Sequence, residues 1–208
     1  MNTIVSPAEL SGKIDIPSSK SQAHRLLICA ALSSAPVSVS LRGVSQDIIA
    51  TCDCLRALGA DIREQDGGLL VTPIREIPRT EVLLPCRESG STLRFLLPVC
   101  GMLGVSATFC CEGRLAQRPL APLDEQLRAH GMEITQSENR ITCSGKLTAG
   151  AYTLSGSVSS QFFTGLLFAL PLLDGESTLC AIEDEQELQT VYELIMDQLY
   201  EDEEEIDN

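Results

Sequence analysis

The chain has 208 residues and a mass of 22.4 kDa, with 44% hydrophobic and 21% charged residues, which is material for one domain or two small ones. Its formal charge of −14 is unevenly placed: residues 1–182 carry −2 and residues 183–208 carry −12. A nearly neutral body argues against a general affinity for nucleic acid or an anionic membrane, so any basic site must be a local cluster for a small anion. Only 4% of residues are aromatic and none is Trp, which disfavours a base-stacking platform. No apolar run reaches the roughly 18 to 20 residues of a membrane span, and residues 1–10 lack the pattern of a secretory signal. The nine Cys are odd in number and lack paired zinc-ribbon spacing, so they read as small core residues in a reduced, cytoplasmic setting.

In chain order, residues 13–32 open with an alternating strand, pass through a Ser-rich turn and enter an apolar helix. Residues 46–62 show helical apolar spacing and stop at Gly59, a good helix C-cap. A hairpin follows, turned at Asp66-Gly67-Gly68. Residues 80–100 repeat the strand, Ser-rich turn and apolar helix. Residues 119–134 repeat the second helix, stopping at Gly131, and Glu138-Asn139 turns a second hairpin. Residues 151–170 begin the plan a third time, and Pro17 and Pro85 stand 68 residues apart. The spacing predicts an α/β fold of three β-α-β-α-β-β units related by pseudo-threefold symmetry, helices inside and sheets outside. The helices at 26–32, 93–99 and 162–172 are apolar all round, as buried helices are. Such a packing brings three Ser-rich helix starts to one end of the domain.

A helix N-terminus presents unpaired N–H groups and partial positive charge, which favours phosphate or carboxylate. The first turn adds Ser18, Ser19, Lys20, Ser21, His24 and Arg25; the second adds Ser89, Gly90, Ser91, Thr92 and Arg94; the third adds Ser155, Ser157, Ser159, Ser160 and Gln161. Lys20 is a flexible point charge, whereas Arg25 and Arg94 fork onto two oxygens. Gly90 lets a ligand approach the backbone, and Arg118 is a fourth cation expected to open the helix at 119–134. Ser at a helix start is ordinarily only a cap; three such turns in register point beyond capping. His24 reads as a candidate base whose pKa the neighbouring Arg25 lowers, or as a helix cap, and His130 as a helix-end residue. No Ser-His-Asp order, metal-ligand cluster or Walker-type loop is present. The residues alone therefore specify a small, multiply anionic ligand and no cofactor.

The segment from Ile16 and Pro17 through Ser18-Ser19-Lys20-Ser21 to His24-Arg25 resembles the P-G-D-K-S-I-S-H-R motif of the EPSP synthase (3-phosphoshikimate 1-carboxyvinyltransferase) family. Glu88-Ser89-Gly90-Ser91-Thr92-Leu93-Arg94 resembles that family's N-[AS]-G-T-[AT]-x-R loop, and Gln117-Arg118-Pro119-Leu120 its R-P-[IM] segment. Gly156-Ser157-Val158-Ser159-Ser160-Gln161-Phe162 resembles its G-S-x-S-S-Q-[FY] motif. The resemblance implies two similar domains of three repeats closing over the substrates. It implies transfer of the enolpyruvyl group of phosphoenolpyruvate to the 5-hydroxyl of shikimate 3-phosphate, on the route to chorismate and the aromatic amino acids. Carried over by motif, Lys20, Ser21, Arg25, Ser159, Ser160 and Gln161 would bind shikimate 3-phosphate. Lys20, Gly90, Arg94, Arg118 and Gln161 would bind or support phosphoenolpyruvate. The related UDP-N-acetylglucosamine enolpyruvyl transferases usually carry Lys-Asn where this chain has Lys20-Ser21, so the shikimate branch fits better.

Family members are about twice this length, and the catalytic acid and base groups are expected in a second domain that this sequence lacks. The sequence divides into an EPSP synthase-like N-terminal domain at 1–182, an acidic amphipathic helix at 183–200 that completes the third repeat, and a disordered acidic tail at 201–208. The apolar surface left uncovered would favour the missing domain or self-association, opposed by the charge of the tail. A second reading makes the protein a non-enzymatic interaction module in which the acidic helix binds a basic partner.

Overall fold

A computed structural model describes residues 11–156 and 159–182; the acidic helix and tail expected at 183–208 lie outside the described residues. The fold is mixed α/β. In chain order the elements are α1 (Lys20–Ala31), β1 (Val37–Ser40), α2 (Gln46–Ala57), β2 (Asp61–Gln65), β3 (Gly68–Thr72) and β4 (Val82–Arg87). There follow α3 (Gly90–Leu103), β5 (Ala107–Cys111), a 3-10 turn (Leu115–Gln117), α4 (Leu123–Ala129), β6 (Met132–Gln136) and β7 (Arg140–Gly145). The chain then forms β8 (Ala151–Ser155), α5 (Ser160–Ala169), a second 3-10 turn (Leu170–Leu172) and β9 (Thr178–Ile182).

The strands form three sheets, ordered β1-β3-β2, β4-β5-β7-β6 and β8-β9. The pairs β4-β5 and β8-β9 are parallel, each joined through a crossover helix, whereas β1-β3, β2-β3, β5-β7 and β6-β7 are antiparallel. Ser19, Ser45, Ser89 and Ser159 cap α1, α2, α3 and α5 through their side-chain oxygens. Gly104 closes α3 at φ 68° in the left-handed region, where a side chain would be strained.

The core is one continuous cluster centred on α3, whose residues Leu93, Phe95, Leu96, Leu97, Val99 and Cys100 are all buried. Phe95 meets Phe168 of α5 edge-on, with ring centroids 5.7 Å apart. Pro98 lies inside α3 and has no N–H to give the carbonyl of Arg94, one turn earlier. Gly165 of α5 lies against that carbonyl: a Cβ there would stand 2.3 Å from the Arg94 oxygen and 3.2 Å from Pro98 Cγ. The two helices approach so closely because one lacks a donor and the other lacks a side chain.

Four expectations are corrected. Residues 13–17 form no strand, and Ile14 and Ile16 are 88% and 77% exposed. The segment is hydrogen-bonded beyond the exit of β1 through Ser18, whose N–H donates to the Arg42 carbonyl at 2.9 Å and whose hydroxyl accepts from the Arg42 N–H at 2.7 Å. Pro17 supplies no donor to extend this contact. Secondly, the helix expected across 119–134 begins only at Leu123. Arg118, extended at ψ 139°, follows the first 3-10 turn instead of opening that helix. Pro119 disfavours a helical Arg118, and Pro122 fixes the start. Thirdly, α3 alone is buried along nearly all of its length: Leu26 of α1 is 52% exposed and Leu167 of α5 is 59% exposed, because no described element covers their outer faces. Fourthly, Cys29 and Cys180 are exposed, whereas Cys52, Cys54, Cys86, Cys100, Cys111 and Cys143 are buried. Burial pushes the Cys52 and Cys111 thiols up to about 11, so both remain protonated core residues.

Replacing Gly165 by Ala should separate α3 from α5 and cost about 2 to 3 kcal/mol of unfolding free energy, measured by urea denaturation. A Gly165→Ala chain as stable as the wild type would mean that the contact yields without loss.

Candidate functional site

Three of the capped helices begin within reach of one another. At the start of α1, Lys20 extends to the first turn of α2, where its Nζ lies 2.6 Å from Asp47 Oδ2. Lys20 therefore carries a carboxylate partner that sequence reading did not assign to it. Arg25, one turn on, donates through Nη1 to the carbonyl and hydroxyl of Ser21 at 2.8 and 2.5 Å. Its Nη2 donates to Thr164 Oγ1 of α5 at 3.0 Å, and the guanidinium lies 5.2 Å from the centroid of Phe95. Arg25 thus ties the start of α1 to α5 across the end of α3.

The second group is closer knit. Arg94 Nη1 donates to Gln161 Oε1 at 2.8 Å, and Gln161 Nε2 donates to Ser91 Oγ at 2.9 Å. The Gln161 amide therefore bridges the first turns of α3 and α5. Gly90 lies beneath two guanidinium groups: a Cβ there would stand 2.9 Å from Arg94 Nη1 and 3.4 Å from Arg118 Nη1. Among the described residues neither arginine has a carboxylate within salt-bridge distance. Burial, reinforced by the charge of Arg118, lowers the Arg94 pKa. Arg94 Nε is buried with no partner among the described residues. Two like charges are thus gathered over the first turn of α3, an arrangement whose electrostatics favour an anion.

Ser159 caps α5 by accepting from the Gln161 N–H at 3.3 Å, and Ser160 opens the helix on the exposed side. Ser157 lies outside the described residues. Lys20, Ser21 and Arg25 thus form one group; Gly90, Arg94, Arg118 and Gln161 form a second. Arg25–Thr164 and the Gln161 bridge join both to the helix that Ser159 and Ser160 begin.

His24 is fully buried, with Nδ1 2.7 Å from Thr51 Oγ1 of α2. It caps no helix, and its pKa is pushed down to about 4, first by burial, with Lys20 and Arg25 adding to that effect and Asp47 opposing it. Desolvation dominates, and Arg25 lowers the pKa as expected but as a smaller contribution. A neutral, enclosed imidazole is not poised as a base. His130 caps the end of α4 and stacks on Tyr152 with centroids 3.8 Å apart, a helix-end role as expected.

Sequence reading missed Asp47, Thr51, Thr164 and Arg87. Asp47 and Thr51 lie one turn apart on α2, a spacing that signals a shared helix face and does not reveal which neighbour that face meets. Arg87, at φ 53°, donates to Asp53 Oδ2 at 3.1 Å and to Gln46 Oε1, fastening the turn before Ser89 to α2. Among the described residues no cluster of ligands suited to a metal ion occurs, and no helix is long and apolar enough to cross a membrane.

Residues 4–196 match the family of EPSP synthase (3-phosphoshikimate 1-carboxyvinyltransferase). The chain is 39% identical over 197 residues to the 3-phosphoshikimate 1-carboxyvinyltransferase of Clostridium kluyveri, covering 94% of this chain and 46% of that protein. It is 38% identical over 187 residues to the Clostridium beijerinckii protein of the same name, covering 86% and 43%. EPSP synthase from Acinetobacter baumannii superposes with a TM-score of 0.70 at 21% identity, over 83% of this chain and 41% of that one. The enolpyruvyl transferase NikO from Streptomyces tendae gives a TM-score of 0.51 at 13% identity, over 76% and 38%. The chain spans less than half the length of these curated relatives.

The buried imidazole makes stability depend on pH. Unfolding restores His24 to its ordinary 6.5, so between pH 6.5 and 4 the unfolded chain binds the extra proton. Stability should fall as pH drops through that window, with His24 accounting for about 3 kcal/mol, and should not respond to this group above it. Urea unfolding of the wild type and of His24→Asn at pH 7 and pH 4.5 checks this. Equal losses in the two proteins would remove His24 as the cause.

Proposed function

The chain belongs to the EPSP synthase family, and from that membership we propose that it is the shikimate 3-phosphate and phosphoenolpyruvate half-site of an enolpyruvyl transferase. The observation that carries this reading is the pair of guanidiniums over Gly90, bridged by Gln161 and without a carboxylate partner among the described residues. Arg94 and Arg118 receive the anionic groups of phosphoenolpyruvate, and Gly90 gives that ligand access to the start of α3. Ser21, Arg25, Ser159, Ser160 and Gln161 receive shikimate 3-phosphate between α1 and α5. Lys20 serves both ligands once it turns from Asp47. That exchange costs little, because the Lys20 side chain is 55% exposed in the pair.

The same reading takes the three strand–helix segments as copies of one β-α-β-α-β-β unit about a pseudo-threefold axis. The parallel pairs β4-β5 and β8-β9 and the like hairpins β2-β3 and β6-β7 support it. The described residues around the site offer cations, amides, hydroxyls and one carboxylate, Asp47, which is paired with Lys20, and the one histidine there is neutral and enclosed. Enolpyruvyl transfer needs a proton acceptor for the attacking hydroxyl and a donor for the vinyl carbon. In this reading those groups come from outside the described residues. An interaction module based on the acidic segment has no supporting observation. The UDP-N-acetylglucosamine branch is disfavoured by the names of the matching relatives.

Calorimetric titration with shikimate 3-phosphate should show saturable binding. Arg25→Ala should weaken it roughly tenfold or more and Ser159→Ala by less, since the first removes a charge-assisted contact. A folded chain that gives no binding heat at millimolar ligand would refute the half-site. Mixed with both ligands, the chain alone should release phosphate at a rate near background; release at the rate of a full-length relative would show that the acid and base groups are already present.

A further inference from the structure

A buried line of hydroxyl groups connects the starts of α1 and α3. His24 Nδ1 lies 2.7 Å from Thr51 Oγ1, Thr51 Oγ1 lies 2.7 Å from Thr92 Oγ1, and the Thr92 hydroxyl donates to Ser89 Oγ at 2.7 Å. All four residues are buried. His24 sits between Lys20 and Arg25 in the first turns of α1; Ser89 is the cap of α3, accepting from the Thr92 N–H at 3.3 Å. Thr51 belongs to α2 and joins the two ends of this line. Thr92 Oγ1 also lies 3.5 Å from the carbonyl of Asp47, the residue whose carboxylate holds Lys20.

The direction of the protons follows from counting donors. A threonine hydroxyl has one proton, and that of Thr92 goes to Ser89 Oγ at 2.7 Å in preference to the more distant Asp47 carbonyl at 3.5 Å. The Thr51 proton must then go to Thr92, and Thr51 accepts from an Nδ1–H on His24. This leaves His24 Nε2 as a bare lone pair. Nε2 is buried with no partner among the described residues, which suits an acceptor better than an N–H, since an enclosed donor is the costlier group to strand.

We propose that Thr51 is a positioning residue: the line His24–Thr51–Thr92–Ser89 fixes the α3 cap relative to α1, so that an anion bound at either helix start tightens binding at the other. Displacement of α1 by a ligand on Lys20, Ser21 and Arg25 reaches Ser89 through two oxygen–oxygen contacts, and Ser89 sets where the Gly90 and Ser91 N–H groups point. Low-dielectric surroundings strengthen such contacts, so the line has few alternative arrangements. The two-ligand part rests on the half-site reading above; the geometric part does not.

The test uses the full chain with Thr51→Val, nearly the same shape without the hydroxyl, and Thr51→Ser, which restores it. Without ligand, the wild type should show His24 as the Nδ1–H tautomer in nitrogen-15 spectra and slow amide exchange at Thr92. Thr51→Val should lose both and Thr51→Ser regain both, while circular dichroism confirms that each variant is folded. With ligand, shikimate 3-phosphate should tighten phosphoenolpyruvate binding roughly fivefold in the wild type and in Thr51→Ser, and leave it unchanged in Thr51→Val. An Nε2–H tautomer, or a folded Thr51→Val with unaltered Thr92 exchange, overturns the proposal. If the wild type binds neither ligand, the half-site reading falls and the ligand-free measurements still decide the role of Thr51.

Discussion

Two guanidinium groups held over one glycine are the constraint around which the rest of this structure is arranged. Arg94 and Arg118 repel each other, and Arg94 is further penalised by burial. Folding offsets that cost without a carboxylate partner among the described residues. It does so with the Gln161 carbonyl, the face of Phe162 at 5.6 Å and helix packing. Helix packing in turn depends on Pro98 and Gly165, which bring α5 against the Arg94 carbonyl, so the side chain projects from a backbone held on two sides. The site and the core are thus one piece of packing, because the helix that supplies Arg94 is also the most buried helix.

The same logic separates Lys20 from the arginines. Lys20 stands in water beside Asp47 and is balanced when no ligand is bound. An exposed pair of this kind is worth little and exchanges readily. The Gly90 group has no such placeholder among the described residues. In the proposed half-site a dianion would meet the preformed cations Arg94 and Arg118 and a latched cation on α1, leaving most reorganisation to the flexible stem of Lys20.

Much of this was legible in the sequence. Ser19, Ser89 and Ser159 announced three helix starts, Gly59 and Gly131 announced two stops, and the turns at Gly67 and Asn139 gave the hairpins their register. Local propensity is enough for such features, because caps and turns are decided within a few residues. The spacing of the Ser-rich turns pointed to Arg25, Gly90, Arg94 and Gln161, with Arg118 near them, and the structure gathers Gly90, Arg94, Arg118 and Gln161 and links Arg25 to α5 through Thr164. Residues 13–17 failed for the opposite reason: alternation predicts a strand only where a neighbour receives it, and here the ladder stops at Ser18. Leu26 and Leu167 failed similarly, since composition says that a helix is apolar without saying that something covers it.

The residues that sequence reading missed share one property: each acts across 27 or more positions on a partner in another element. Lys20 with Asp47 and His24 with Thr51 are both separated by 27 residues, and Thr51 with Thr92 by 41. His24 shows why such residues mislead. Beside Arg25 in sequence, it looks like a base tuned by a neighbouring charge; enclosed against Thr51 and 6.3 Å from the Phe95 ring centroid, it is a neutral hydrogen-bonding group whose environment is set by burial. A titratable residue in a ligand-binding motif is therefore assigned to chemistry or to support by what encloses it. Here the enclosing groups are a hydroxyl line and an aromatic ring, and they place His24 with the scaffold that holds the cations, apart from the groups that would move a proton.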